Sequence, residues 1–167
     1  MLKVVFVYWW YYPLKWILIG KSMGLFSKSK PKPTTQHKNE AKAAISRFGT
    51  CAKELESATS IDAYITAMDK CNSELNLLQL YEENGVTLSM PLSQIRESVT
   101  AEIPRIERET VDRSYDRMMR DTFKLKTDAG RKRKAVRFFE ELEYYYPRLQ
   151  QSTIDHIKGL RGSCKFI

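Results

Sequence analysis

The chain has 167 residues, 29% of them charged, and a formal net charge of +8, a length that leaves room for one domain with one modest core. Three cysteines at wide spacing, Cys51, Cys71 and Cys164, form no C-x-x-C pair. That pattern argues against an oxidised disulfide scaffold and for a reducing compartment, with Cys51 and Cys71 as small buried apolar groups. Only His37 and His156 supply imidazole, and neither has metal-ligand spacing to a cysteine or a carboxylate cluster, so no metal and no cofactor is expected.

The charge is unevenly placed. Residues 1–38 hold seven Lys and no acid, whereas residues 39–167 hold 21 Lys plus Arg against 20 Asp plus Glu. The body is therefore close to neutral, and the total of +8 does not by itself signal a polyanionic partner. Within the body, residues 39–104 carry five bases and ten acids, and residues 105–137 twelve bases and six acids. The simpler expectation is that these two regions pair when packed.

Taken in chain order, residues 1–22 form an apolar aromatic leader. Its core, VVFVYWWYYPLKWILIG, is a marginal membrane segment: about −2.4 to −4.8 kcal/mol from eight strongly apolar residues, against about +2.5 to +3.5 from Lys15. Pro13 and the short length count further against a span. Trp9, Trp10, Tyr11, Tyr12 and Trp16 suit a membrane interface better than a bilayer interior. The other readings are a secretory signal, disfavoured because no clean cleavage site follows, and a non-native extension ahead of a start at Met23. The expected localisation is cytoplasmic. The alternative is a single N-terminal membrane anchor that leaves the body in the cytoplasm, because lysines follow the segment. Gly20-Lys21-Ser22 is no phosphate-binding loop, since Lys15 stands at the required earlier glycine, and Met23-Gly24 lacks the downstream Ser or Thr of a myristoylation signal. Residues 23–38, rich in Ser, Lys and Pro, are expected to be a flexible basic linker.

From residue 39 to 162 the pattern is helical. Ala41, Ala44, Ile45, Phe48, Ala52 and Leu55 define a first helix from Glu40 to about Ala58. Thr59, with Asp62 three residues on, marks the cap of a second helix carrying Ile61, Tyr64, Ile65, Met68, Cys71, Leu75 and Leu78. Asn84-Gly85 stops it, and the short turn makes the pair an antiparallel hairpin. Pro91 opens a third helix with Leu92, Ile95, Val99, Ile103 and Ile106, which Pro104 should kink or split. Asp128 or Thr127 starts a fourth, with Ala135, Phe138, Phe139, Leu142 and Tyr145 as its apolar set, and Pro147 ends it. Ser152 with Asp155 announces a short last helix, frayed by Gly159 and Gly162, before a tail at 163–167. No segment alternates with period two. The class is all-α, a small bundle of about four to five helices.

Most bases of the middle region have an acid three or four residues away: Arg105 with Glu109, Arg108 with Asp112, Glu109 with Arg113, Asp116 with Arg120, Arg117 with Asp121. Arg131, Lys132, Arg133 and Lys134, extended by Arg137, stand out, since only Asp128 answers them and they oppose the dipole at a helix start. They are the polyanion-binding candidates, although pairing within the fold explains them more simply. Phe138, Phe139 and Tyr145 fall on the core stripe, leaving Tyr144 and Tyr146 as the exposed aromatics beside the cluster. Glu140, Glu141 and Glu143 read as surface charges, and no catalytic triad can be assembled. The expected function is therefore non-catalytic: an intracellular helical module working through a protein partner or self-association. The alternative is a sequence-tolerant nucleic-acid binder using residues 131–134. Membrane attachment would run through residues 4–20.

Overall fold

Residues 33–167 are described in the computed structural model, and among them there are five α-helices and no strand. The leader, including Trp9, Trp10, Tyr11, Tyr12 and Trp16, lies outside the described residues.

Helix α1 spans Thr35–Glu56, and the Thr34 hydroxyl accepts the His37 N–H at 3.2 Å. Residues 35–38 thus belong to the helix and not to the expected linker. A capping hydroxyl supplies an acceptor at the helix start that composition does not reveal. Helix α2 spans Ile61–Glu83 and its cap is Ser60, whose side chain accepts the Ala63 N–H, one residue beyond the expected Thr59. At its end Gly85 takes φ 84°. The Gly85 N–H donates to Glu82 at 3.0 Å and the Val86 N–H to Tyr81 at 2.9 Å, the paired bonds of a Schellman stop.

The α1–α2 hairpin is antiparallel, and its cross-links show the register. Glu40 accepts from Tyr81 at 3.3 Å, Arg47 grips Glu74 through two bonds of 2.8 and 2.9 Å, and Glu54 accepts from Lys70 at 2.7 Å. As the number rises along α1, the partner's falls along α2.

Helix α3, Leu92–Phe123, is 32 residues long and continues through Pro104, so it is not split in two. A proline inside a helix costs about 3 kcal/mol. Ile103 and Ile106, buried on either side of it, return roughly 1.5–3 kcal/mol each, which favours continuity. Helix α4, Asp128–Tyr144, is capped by Thr127, whose Oγ1 accepts the Gly130 N–H at 3.2 Å. It ends at Tyr144, ahead of Pro147, which lies in a 3-10 turn at Tyr146–Arg148. Helix α5, Gln151–Ser163, follows Gln150, so Ser152 sits inside the first turn and is not the cap. The expected tail is also corrected: Cys164 is buried in the core, and Phe166 meets Phe123 edge-on at 5.3 Å.

Two clusters hold the bundle. A large one, the body, draws on every helix, from Leu55, Ile61, Tyr64 and Ile65 through Ile103, Val111 and Met118 to Ala135, Phe139, Leu142 and Ile157. A smaller one, the arm, consists of Ala44, Leu75, Leu78, Leu92 and Ile95, where the hairpin meets the start of α3.

Candidate functional site

Among the described residues, a groove of about 820 Å³ on the body is bounded by the start of α2, the later half of α3 and the length of α4. Helical spacing puts Gly130, Arg133, Lys134, Arg137, Phe138, Glu141 and Leu142 on the α4 wall. Facing them are Arg117, Met118 and Asp121 of α3, with Leu125 beyond its end. The floor is apolar, formed by Ile61, Met118, Leu125, Phe138 and Leu142, and the rim is charged. Gly130 matters for its shape: a Cβ there would approach the capping Thr127 hydroxyl to 2.9 Å, so a larger residue must disturb the start of α4.

The basic cluster divides on folding. Arg133, Lys134 and Arg137 line the groove; Arg131 and Lys132 do not. Arg131 turns back, donating to the Leu125 carbonyl at 3.0 Å and to Asp128 at 3.1 Å, and so ties the α3–α4 connection. Lys134 lies 3.5 Å from Asp121, and Arg137 pairs with Glu141 at 2.9 Å. Arg117, Lys132 and Arg133 have no hydrogen-bond or ion-pair partner among the described residues. Asp121 also accepts from Lys124 at 3.0 Å; that bond and then the Lys134 charge hold its carboxyl below the usual aspartate value.

The expected pairing between the acidic residues 39–104 and the basic middle does not form. Apart from the local Arg105–Glu102 contact, no ion pair among the described residues joins the two regions. Of the expected local pairs, Arg105–Glu109 at 2.8 Å and Arg113–Glu109 at 3.8 Å are present. Asp112 is taken by His156 of α5 at 2.6 Å, and Asp121 by lysines. His156 and Lys134 thus reach these carboxylates from other helices, while Lys124 is a local partner three residues on.

The aromatic assignment changes too. Tyr144 is 80% exposed at the groove's edge, meeting Tyr145 edge-on. Tyr145 also lines the groove and donates to Asp62 at 3.1 Å. Tyr146, expected outside, packs against the body core instead, because the 3-10 turn redirects the chain after Tyr144.

One polar group was not anticipated. Glu107 is 2% exposed in the core. Its Oε1 accepts from the Tyr64 hydroxyl at 3.0 Å, and its Oε2 from the Thr153 hydroxyl at 2.7 Å and the Gln150 N–H at 3.1 Å. It therefore joins α2 and α3 to the start of α5, where a carboxylate is favoured by the helix dipole and replaces the missing cap. Burial, and then the Glu107 charge, raise the Tyr64 phenol above its ordinary pKa, which keeps it a donor. The signal was present in the sequence: Glu107 falls between Ile103 and Val111 on the buried stripe.

A second concavity, about 610 Å³ between α1 and α2, is lined by the already engaged Arg47, Glu54, Lys70 and Glu74. Among the described residues no three His, Cys, Asp or Glu side chains converge as a metal would require, and no hydroxyl or thiol is hydrogen-bonded to His156. No helix of the described residues is long and apolar enough to cross a membrane. Comparison with protein-family models, curated proteins and solved structures finds no match to this chain.

Proposed function

We propose that the chain is a non-catalytic intracellular helical module that acts by docking a protein in the α3–α4 groove. The observation that supports this is the make-up of the groove: an apolar floor, a rim carrying both signs of charge, and an exposed tyrosine at the edge. Protein-binding surfaces combine an apolar centre with a polar rim, and tyrosine is enriched among their energetic anchors. A nucleic-acid strand fits less well, because Asp62, Asp121 and Glu141 line the same walls as the bases and would repel phosphates.

The test is a photo-crosslinking residue placed at Tyr144 and, as a control, at the exposed Lys158 of α5, away from the groove and the arm. Irradiation of cells should give a protein adduct from position 144 and none from 158. Absence of any protein adduct at 144, or an adduct there that nuclease removes, would overturn the proposal.

A further inference from the structure

We infer that the groove of one protomer receives the arm of a second copy of this chain, giving head-to-tail self-association; this rests on the docking role proposed above. Three observations converge.

First, the exposed large apolar residues fall into two sets. Leu77, Leu80 and Met90 are on the arm, and Phe123, Tyr144 and Ile167 are on the body. Leu77 and Leu80, three residues apart, share one face of α2 and form a ridge of the kind that enters a groove. Second, the charges match between copies. In the groove the carboxylates already have partners, Asp121 with Lys134, Glu141 with Arg137 and Asp62 with Tyr145, whereas Arg117 and Arg133 have none among the described residues. The arm belongs to the acidic stretch 39–104, and its exposed Glu82 and Glu83, the latter accepting from Gln79 at 2.9 Å, close α2 just beyond the two leucines. Third, the acidic and basic regions do not neutralise one another inside a protomer, as described above. A second copy brings them together.

The geometry also selects a helix as occupant. No strand edge exists among the described residues for an extended segment to pair with, and a helix satisfies its own backbone. Residues 1–38 are excluded by sign, since their seven lysines would meet Arg117 and Arg133, which have no partner among the described residues. Groove and arm are different surfaces, so the contact is heterologous, and each added copy exposes a new groove or a new arm.

Sedimentation velocity of the full chain at low salt should show average mass rising with concentration and falling as salt is added. Two variants at exposed positions separate the surfaces: Leu77→Ser/Leu80→Ser for the arm and Arg117→Glu/Arg133→Glu for the groove. Each alone should weaken association at least about tenfold, on the scale of a few rim contacts. Mixed together, they should recover a one-to-one pair and nothing larger, because one intact arm and one intact groove remain.

Overturning results are a wild-type chain that stays monomeric at every concentration, association that neither variant weakens, or a mixture that fails to recover the pair. Should either variant misfold, the photo-crosslinker at Tyr144 in the otherwise unchanged chain still decides: its adduct must map to residues 73–84 of a second copy. An adduct with a different protein sinks the second-copy inference while sparing the docking role.

Discussion

In the body, Phe139, Leu142, Ile157 and Tyr64 pack into a cluster drawn from every helix, with Glu107 as a polar knot inside it. In the arm, buried Ala44, Leu75, Leu78, Leu92 and Ile95 are edged by half-buried Ile45, Phe48, Tyr81 and Leu88, and ion pairs such as Arg47–Glu74 and Lys70–Glu54 tie the hairpin along its length. Surface pairs are worth about 0–1 kcal/mol, so the arm rests on a smaller apolar cluster than the body. The contrast teaches that stability is graded along the bundle. The candidate groove belongs to the end with the larger apolar cluster, where Arg117 and Arg133 stand within α3 and α4 and Tyr144 closes α4, and a site built on helices lowers the entropy cost of docking.

The largest effect is expected in the body. Phe139→Ala removes a side chain that is fully buried and should lower unfolding free energy by about 3–5 kcal/mol in denaturant titration. Glu107→Ala, which strands the Tyr64 and Thr153 hydroxyls and the Gln150 N–H, should cost about 3 kcal/mol. Hydrogen exchange should then show the start of α5 losing protection ahead of α1. In the arm, Leu78→Ala should cost only about 2 kcal/mol, near the lower limit for a buried leucine, because the half-buried side chains Ile45, Phe48, Tyr81 and Leu88 at the cluster's edge can relax into the gap. Equal losses from Phe139→Ala and Leu78→Ala would erase the distinction between the two ends.

Gly85→Ala is smaller again. A Cβ at φ 84° strains the Schellman stop by about 1 kcal/mol, and amide exchange should rise in the last turn of α2 while the body keeps its protection. The smallest effect concerns pH. Asp121 is held below the ordinary aspartate value by Lys124 first and Lys134 second. A carboxyl depressed in the folded state adds stability above the unfolded aspartate range and loses it as pH falls through the folded pKa. Carboxyl NMR titration should place Asp121 below ordinary aspartate, with Lys134→Ala moving it upward. An unchanged midpoint would show that the α3–α4 contact does not hold the charge.

Much of the helical layout was legible because it follows from neighbours in the chain. The apolar stripes, the Asn84-Gly85 stop and the Thr127 cap each act over a few residues, and each is found where the spacing puts it. Misplaced boundaries have equally local causes, since Thr34 and Ser60 are caps competing with similar hydroxyls nearby; of the two outcomes expected at Pro104, a kink or a split, the split is the one that the burial of Ile103 and Ile106 outweighs. The basic cluster was found as a run of residues, but its division was not, since Arg131 needs the Leu125 carbonyl and Lys134 needs Asp121 across the α3–α4 connection.

Helical class, the hairpin and most core positions are thus properties of periodicity and short turns, which any segment carries with it. The partner of each charge is not. Arg117 stands at helical spacing from Asp121, yet Asp121 takes Lys134 from another helix beside the local Lys124, and Asp112 goes to His156 instead of Arg108. Glu107 becomes a core acceptor only because three separate elements deliver donors to it. Coulomb attraction and hydrogen bonding act through space, and only the packed arrangement of the helices decides which groups are near enough to answer.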